Sequence, residues 1–214
     1  MKNQYPLPER KNEIFPKSET TRKNRTESLI LITGTKHSGK TLCARALEKQ
    51  SGIKAVDIDE VIERESGKTP RALFIESVEL FRKAEAAALA DLFLPENKNE
   101  AKTDLQQKQS RQRRIIAAGG GLIDNPKALA LLDQHREITI VYLDVSPETA
   151  WQRINNEANG ELPPFLKTDN PKETHFTLHK RRAAEYKKLA HYCIQAENKS
   201  PEELAAEIIK ILEL

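Results

Sequence analysis

Cysteine is scarce in this 214-residue chain. Cys43 and Cys193 are too few for a disulfide framework and, with no export signal in view, are expected as free thiols. Long apolar runs are absent as well: nothing approaches the roughly 20 residues of a membrane-spanning helix, so no membrane association is expected. Residues 1–27 are polar and lack the apolar stretch of a signal peptide, which predicts a cytoplasmic protein. An excess of one charge is nearly missing too, since the formal net charge is only +3. The surplus Lys and Arg lie in residues 1–27 and 96–114, which leaves the remaining body slightly acidic and argues against a nucleic-acid-binding face. Both segments read as flexible: residues 1–27 as a disordered polar arm, residues 96–114 as a charged, Gln-rich surface insertion.

The rest, residues 28–214, reads as one catalytic domain, expected to act as a monomer. Leu29-Ile30-Leu31-Ile32 is a continuous aliphatic run of the kind a central parallel strand needs, being covered on both faces. Further short strands are predicted over 54–57, 115–118, 138–143 and 191–194. Helical patterns cover 40–50, 60–65, 71–94 and 176–190. Asp124-Asn125-Pro126 and Ser146-Pro147 open two more helices, and Pro201 begins the last, where Ser200 and Glu203 have capping-box spacing. Strands alternating with helices and without hairpin turns imply a three-layer α/β fold, a central parallel sheet with helices on both faces.

Gly34-Thr35-Lys36-His37-Ser38-Gly39-Lys40-Thr41 matches G-x-x-x-x-G-K-[ST], placed directly after a strand and before a helix. Such a loop converges backbone N–H groups on phosphate oxygens, and the positive end of the following helix adds to the attraction. All eight residues are therefore expected at ATP, with Lys40 on the β- and γ-phosphates and the Thr41 hydroxyl on Mg²⁺. His37 stands where many small-molecule kinases carry another glycine. At the end of the second strand, Asp57 and Asp59 are spaced two apart, so strand periodicity predicts both carboxylates on one side. A carboxylate beside a phosphate loop can take the proton of an attacking hydroxyl, and its neighbour can support Mg²⁺.

Taken together, Gly34–Thr41, Asp57-Ile58-Asp59, Phe81-Arg82 with Glu85, Gly119-Gly120-Gly121, Arg182 with Tyr186, and Pro201 resemble the shikimate kinase family from Leu29 to the C-terminus. The resemblance implies a P-loop kinase that phosphorylates shikimate with ATP and Mg²⁺. It implies Asp59 as the base, Asp57 as support for Mg²⁺, and Arg82 and Arg182 on the substrate carboxylate. It also implies that Gly119, Gly120 and Gly121 let the backbone approach the substrate ring, and that Arg153 and Pro201 flank adenine. A planar guanidinium suits a carboxylate, and a glycine run leaves space where a Cβ would intrude.

Two departures stand out. The family's lid carries an arginine that stabilises the transferring phosphoryl group. Here, in the lid at residues 159–174, Leu162-Pro163-Pro164-Phe165-Leu166 puts proline at that position. Lys167, the insertion's Arg113-Arg114, or a partner's arginine are the substitutes in view. Between Phe74 and Phe81 the usual Gly-Glu is absent. These departures keep two other readings open, a kinase of a different small hydroxy acid and a degenerate kinase-like protein that binds its ligands without transfer. His175 and His179, spaced four apart, are expected on a solvated helix face, and Trp151, Leu143 and Ile154 in the core.

Overall fold

The computed structural model describes residues 29–93, 113–135, 137–157 and 162–214. The arm at 1–27 and most of the 96–114 insertion lie outside the described residues. Among the described residues five strands form one parallel sheet: β1 (Leu29–Thr33), β2 (Ala55–Asp57), β3 (Arg114–Ala117), β4 (Thr139–Asp144) and β5 (Tyr192–Gln195), in the order β2-β3-β1-β4-β5. The aliphatic runs explain the centre of that order. Strands buried on both faces must be apolar at every position, and Ile30, Leu31, Ile32, Ile115 and Ile116 are all enclosed at 1% exposure or less.

Alternate side chains feed two cores. Ile30, Ile32, Ile115, Ala117, Val141 and Leu143 pack on one face with α1 (Lys40–Ser51) and α8 (Pro201–Leu212), through Leu47, Leu204 and Ile208. Leu31, Ile116, Ala118 and Ile140 pack on the other with α2 (Ile58–Ser66), α4 (Val78–Phe93) and α5 (Pro126–Gln134). Each fully enclosed Ile or Leu contributes about 1.5–3 kcal/mol by leaving water, so the three-layer arrangement follows from the period-two pattern of the strands.

The helices start where the sequence supplies caps. Asn125 accepts from the Ala128 N–H, Ser200 and Glu203 form a reciprocal capping box, and Pro126, Pro147 and Pro201 each sit in the first turn. Two helical expectations need correction. The pattern over 71–94 is divided at Ser77, whose backbone is extended, into α3 (Pro70–Glu76) and α4. The helix expected from Phe176 begins earlier, as α7 (Pro171–Leu189) capped by the Asn170 side chain, so the end of the lid segment is its first turns. Between Asp144 and α7 lies α6 (Pro147–Glu157), and ahead of α7 the described part of the lid holds one 3-10 turn, Pro164–Leu166.

Because every strand runs the same way, the ends of β1, β2 and β3 deliver Gly34, Asp57 and Ala118 to one edge of the sheet. Ligands of open α/β sheets bind beyond that edge.

Candidate active site

The phosphate loop joins β1 to α1. Gly39 ends it at φ 92°, a left-handed backbone that L side chains avoid. His37 also has φ 61°, so the position that glycine commonly fills is occupied at a cost of about 1 kcal/mol. Lys40 is buried, and its Nζ donates to the Thr35 carbonyl at 2.8 Å. Burial and the neighbouring Lys36 bring its pKa down to about 8. The Thr41 hydroxyl donates to Asp57 Oδ2 at 2.6 Å, bringing a hydroxyl and a carboxylate oxygen together. That pair suits Mg²⁺, a hard cation that takes few protein oxygens and completes its shell with phosphates and water.

Asp57 and Asp59 come together, but not by strand periodicity. The strand stops at Asp57, which caps α2 by accepting from the Asp59 N–H at 2.9 Å, and Asp59 lies in the first helical turn. Asp59 is open to the surface, yet its carboxyl is crowded enough by protein that desolvation raises its pKa, and Asp57 raises it further. Lys40 and Lys36 oppose that shift.

The glycine run after β3 is the point of convergence. A Cβ on Gly119 would lie 2.7 Å from Glu85 Oε1 and 3.7 Å from Asp59 Oδ1. One on Gly120 would lie 2.8 Å from the backbone nitrogen of Lys36, in the phosphate loop. One on Gly121 would lie 3.2 Å from Arg82 Nη1 and 3.3 Å from Arg182 Nη2. Three successive residues thus face the acid on α2, the phosphate loop and the two arginines. The run is held by Tyr186, whose hydroxyl accepts from the Ile123 N–H at 3.3 Å and donates to the Gly119 carbonyl at 3.5 Å, with its ring stacked on Tyr142.

Arg82 is no surface ion pair: its Nη1 donates to the Gly121 carbonyl at 2.6 Å and to Glu85 Oε2 at 3.2 Å. Glu85 itself is 0% exposed. Asn125 donates to that same Oε2 at 2.9 Å, while Oε1 has no partner and points at Gly119. Burial raises the Glu85 pKa, against the Asn125 and Arg82 contacts. Arg182 is 8% exposed, and its Nε and Nη2 donate to Asp124 Oδ2 at 2.9 and 2.6 Å. The 3-10 turn of the lid closes this end: Phe165 packs edge-on against Phe74 and under the Arg182 guanidinium, 5.6 Å from its ring centre.

The sequence marks Glu85 as part of the family pattern but assigns it no role, and it marks Asp124 and Asn125 only as a helix start. The signal for Glu85 was its place three residues after Arg82, on the same helix face. Nothing local marks Asp124, whose partners are 57 and 58 residues away.

Arg153 on α6 donates to the His37 carbonyl at 3.0 Å, so it borders the phosphate loop. Glu197 accepts from the Ser146 and Thr149 hydroxyls, tying the start of α6 to the turn that leads into Pro201. Two expectations are corrected. Arg114 is buried at the start of β3, donating to the Leu92 carbonyl at 3.3 Å; it and Arg113 therefore stand at the opposite sheet edge and cannot replace a lid arginine. His175 and His179 are 4% and 3% exposed, not solvated. His175 packs beside half-buried Trp151, and His179 Nε2 meets the Thr35 hydroxyl at 2.9 Å. Burial and His175 together hold the His179 pKa down at about 4, so it stays neutral. Cys43 and Cys193 are free, as expected.

Among the described residues no helix is long and apolar enough to cross a membrane, and no cluster of His, Cys, Asp and Glu could by itself hold a metal ion. A sequence model of the family described as shikimate kinase matches residues 36–213. A shikimate kinase of Vibrio parahaemolyticus is 30% identical over 86% of this chain and 95% of its own. One of Lactococcus lactis is 33% identical over 84% and 94%. The solved shikimate kinase from Acinetobacter baumannii in complex with shikimate is 28% identical and covers 88% of this chain and 93% of its own at a TM-score of 0.70. With the match running from within the phosphate loop through the glycine run and both flanking arginines, the chain belongs to the shikimate kinase family.

Proposed function

We propose that this protein transfers the γ-phosphoryl group of ATP to the 3-hydroxyl of shikimate. The observation that carries the reading is the glycine run, whose three residues face an acid, a phosphate loop and a pair of guanidiniums in turn. An acceptor lying along it has its carboxylate near Arg82 and Arg182 and a hydroxyl near Asp59, opposite the phosphates. Asp59 takes the hydroxyl proton as the oxygen attacks the γ-phosphorus, the bond to the bridging oxygen breaks, and ADP leaves with that electron pair. Its raised pKa makes Asp59 a stronger base than an ordinary carboxylate.

Gly34, Thr35, Lys36, His37, Ser38, Gly39, Lys40 and Thr41 cradle the phosphates, and the Lys40 ammonium neutralises charge as it develops. Thr41 and Asp57 would hold Mg²⁺, which would supply positive charge against the phosphates. Arg153 and Pro201 border the base. Glu85 fixes Arg82 and offers its free Oε1 to a second acceptor hydroxyl, which would satisfy an otherwise orphaned buried atom. Residues 28–214 form the catalytic unit, residues 159–174 the lid, and the enzyme acts as a cytoplasmic monomer.

A coupled assay of ADP release with ATP, Mg²⁺ and a panel of hydroxy acids tests the reading. Shikimate is expected to raise ADP release well above background, and another acid doing so while shikimate does not would overturn it. Pro163, where a lid arginine was expected, favours one second reading: a protein that binds both ligands without transfer. Calorimetric binding of ATP and shikimate with no phosphorylated product would support it.

A further inference from the structure

The two guanidiniums assigned to the acceptor already share a carboxylate of the chain itself. Asp124, in the 3-10 turn that follows the glycine run, accepts through Oδ2 from Arg182 Nε and Nη2 and lies 3.6 Å from Arg82 Nη2. Its Oδ1 accepts from Arg181 Nη2 at 2.6 Å. Arg181 also pairs with Glu185, and Arg82 with Glu85. Three guanidiniums, Arg82, Arg181 and Arg182, are thus matched by three carboxyl groups, Glu85, Asp124 and Glu185. Although burial works against it, Arg182 and Arg181 hold the Asp124 carboxyl below the usual carboxylate range, so it stays charged at neutral pH.

A site built only to attract an acid would leave its arginines with surplus positive charge, because like charges placed together cost several kcal/mol and opposite charges recover it. Here that surplus is taken up before an acceptor arrives. We propose that Asp124 sets acceptor affinity: its carboxylate holds the meeting point of Arg82 and Arg182, and an acceptor's carboxylate binds by taking over part of those guanidinium contacts. Arg182 keeps N–H groups that Asp124 does not use, since a guanidinium carries five. The acceptor therefore shares the arginines with Asp124 and meets its repulsion. The device keeps three cations fixed side by side in the free protein and lowers the affinity of every carboxylate ligand alike, so an acceptor has to gain further contacts, such as hydroxyls on Asp59 and Glu85, to bind.

The inference rests on the shikimate reading, and the test separates the two. KM for shikimate and the inhibition constant of benzoate, a plain monoanion, are measured for the unaltered protein, Asp124→Asn and Asp124→Glu. Asp124→Asn removes the charge and keeps an oxygen acceptor, so both constants are expected to fall, by about tenfold. Asp124→Glu keeps the charge and is expected to show neither fall. If Asp124→Asn fails to fold, shikimate and its carboxamide are compared on the unaltered protein. The carboxylate is expected to improve KM less than about thirtyfold, because its repulsion by Asp124 cancels part of what two guanidiniums offer. A KM that is unchanged or raised in Asp124→Asn, or a larger preference for the carboxylate, overturns the inference alone. Absence of shikimate turnover in the unaltered protein overturns the shikimate reading and the inference with it.

Discussion

Replacing Gly120 by alanine tests the closeness of the phosphate loop to the acceptor site. The added Cβ would stand 2.8 Å from the Lys36 backbone nitrogen and 3.0 Å from its Cα. Contacts under 3.0 Å are essentially never seen for real Cβ atoms, and the atoms met are backbone, not the tip of a flexible side chain. Relief requires the glycine run and the phosphate loop to part by roughly half an ångström, at a cost of about 1–3 kcal/mol for an overpacked contact. The rate suffers more than the fold, because a misplacement of about 1 Å between reacting groups can cost on the order of a hundredfold. Gly120→Ala is therefore expected to lower kcat/KM for shikimate by about 10- to 100-fold while lowering Tm by only a few degrees. Gly52→Ala is the matched control: it has φ 74° but nothing within 4 Å of its added Cβ. It should lose about 1 kcal/mol of stability and keep full activity. Coupled ADP release and thermal melting of both variants suffice. Full activity in Gly120→Ala would refute the geometry, since it would mean that the loop and the glycine run need no close approach.

The pH profile of kcat/KM should be bell-shaped. Asp59 must be ionised, so activity falls on the acid side through a pKa raised above the ordinary aspartate value; Lys40 must be charged, so it falls again above about pH 8. A profile with no alkaline fall by pH 9 would remove Lys40 from its role. Pro163→Arg should raise kcat by on the order of tenfold, by restoring a cation to the lid turn; because Pro163 is buried, some stability should be lost as well. Unchanged kcat in steady-state assays would mean that another cation already serves the phosphoryl group.

The sheet and the phosphate loop were legible because their signals are local. Five short strand segments, a glycine motif between a strand and a helix, and proline with Ser or Asn at helix starts each state their own structure. The break at Ser77 was hidden, since Val78 and Leu80 keep apolar residues recurring through it and both remain exposed on the surface. Asp57 and Asp59 were correctly paired for the wrong reason, because their spacing fits a strand as well as a cap followed by a first turn. His175 and His179 read as solvated within a highly charged helix. Only the packing of α7 against α6 and the phosphate loop encloses them. Asp124 was illegible, since its partners are brought to it by tertiary folding and not by sequence proximity.

Asp59→Asn is the most direct measurement of the account. The amide keeps size and polarity but cannot accept the hydroxyl proton, so kcat with shikimate should fall by on the order of 10²- to 10⁴-fold. ATP affinity, measured by calorimetry, should stay within about threefold, because the phosphate contacts come from the loop and Lys40. Turnover near that of the unaltered protein would contradict the claim that Asp59 presents the acceptor hydroxyl to the γ-phosphate.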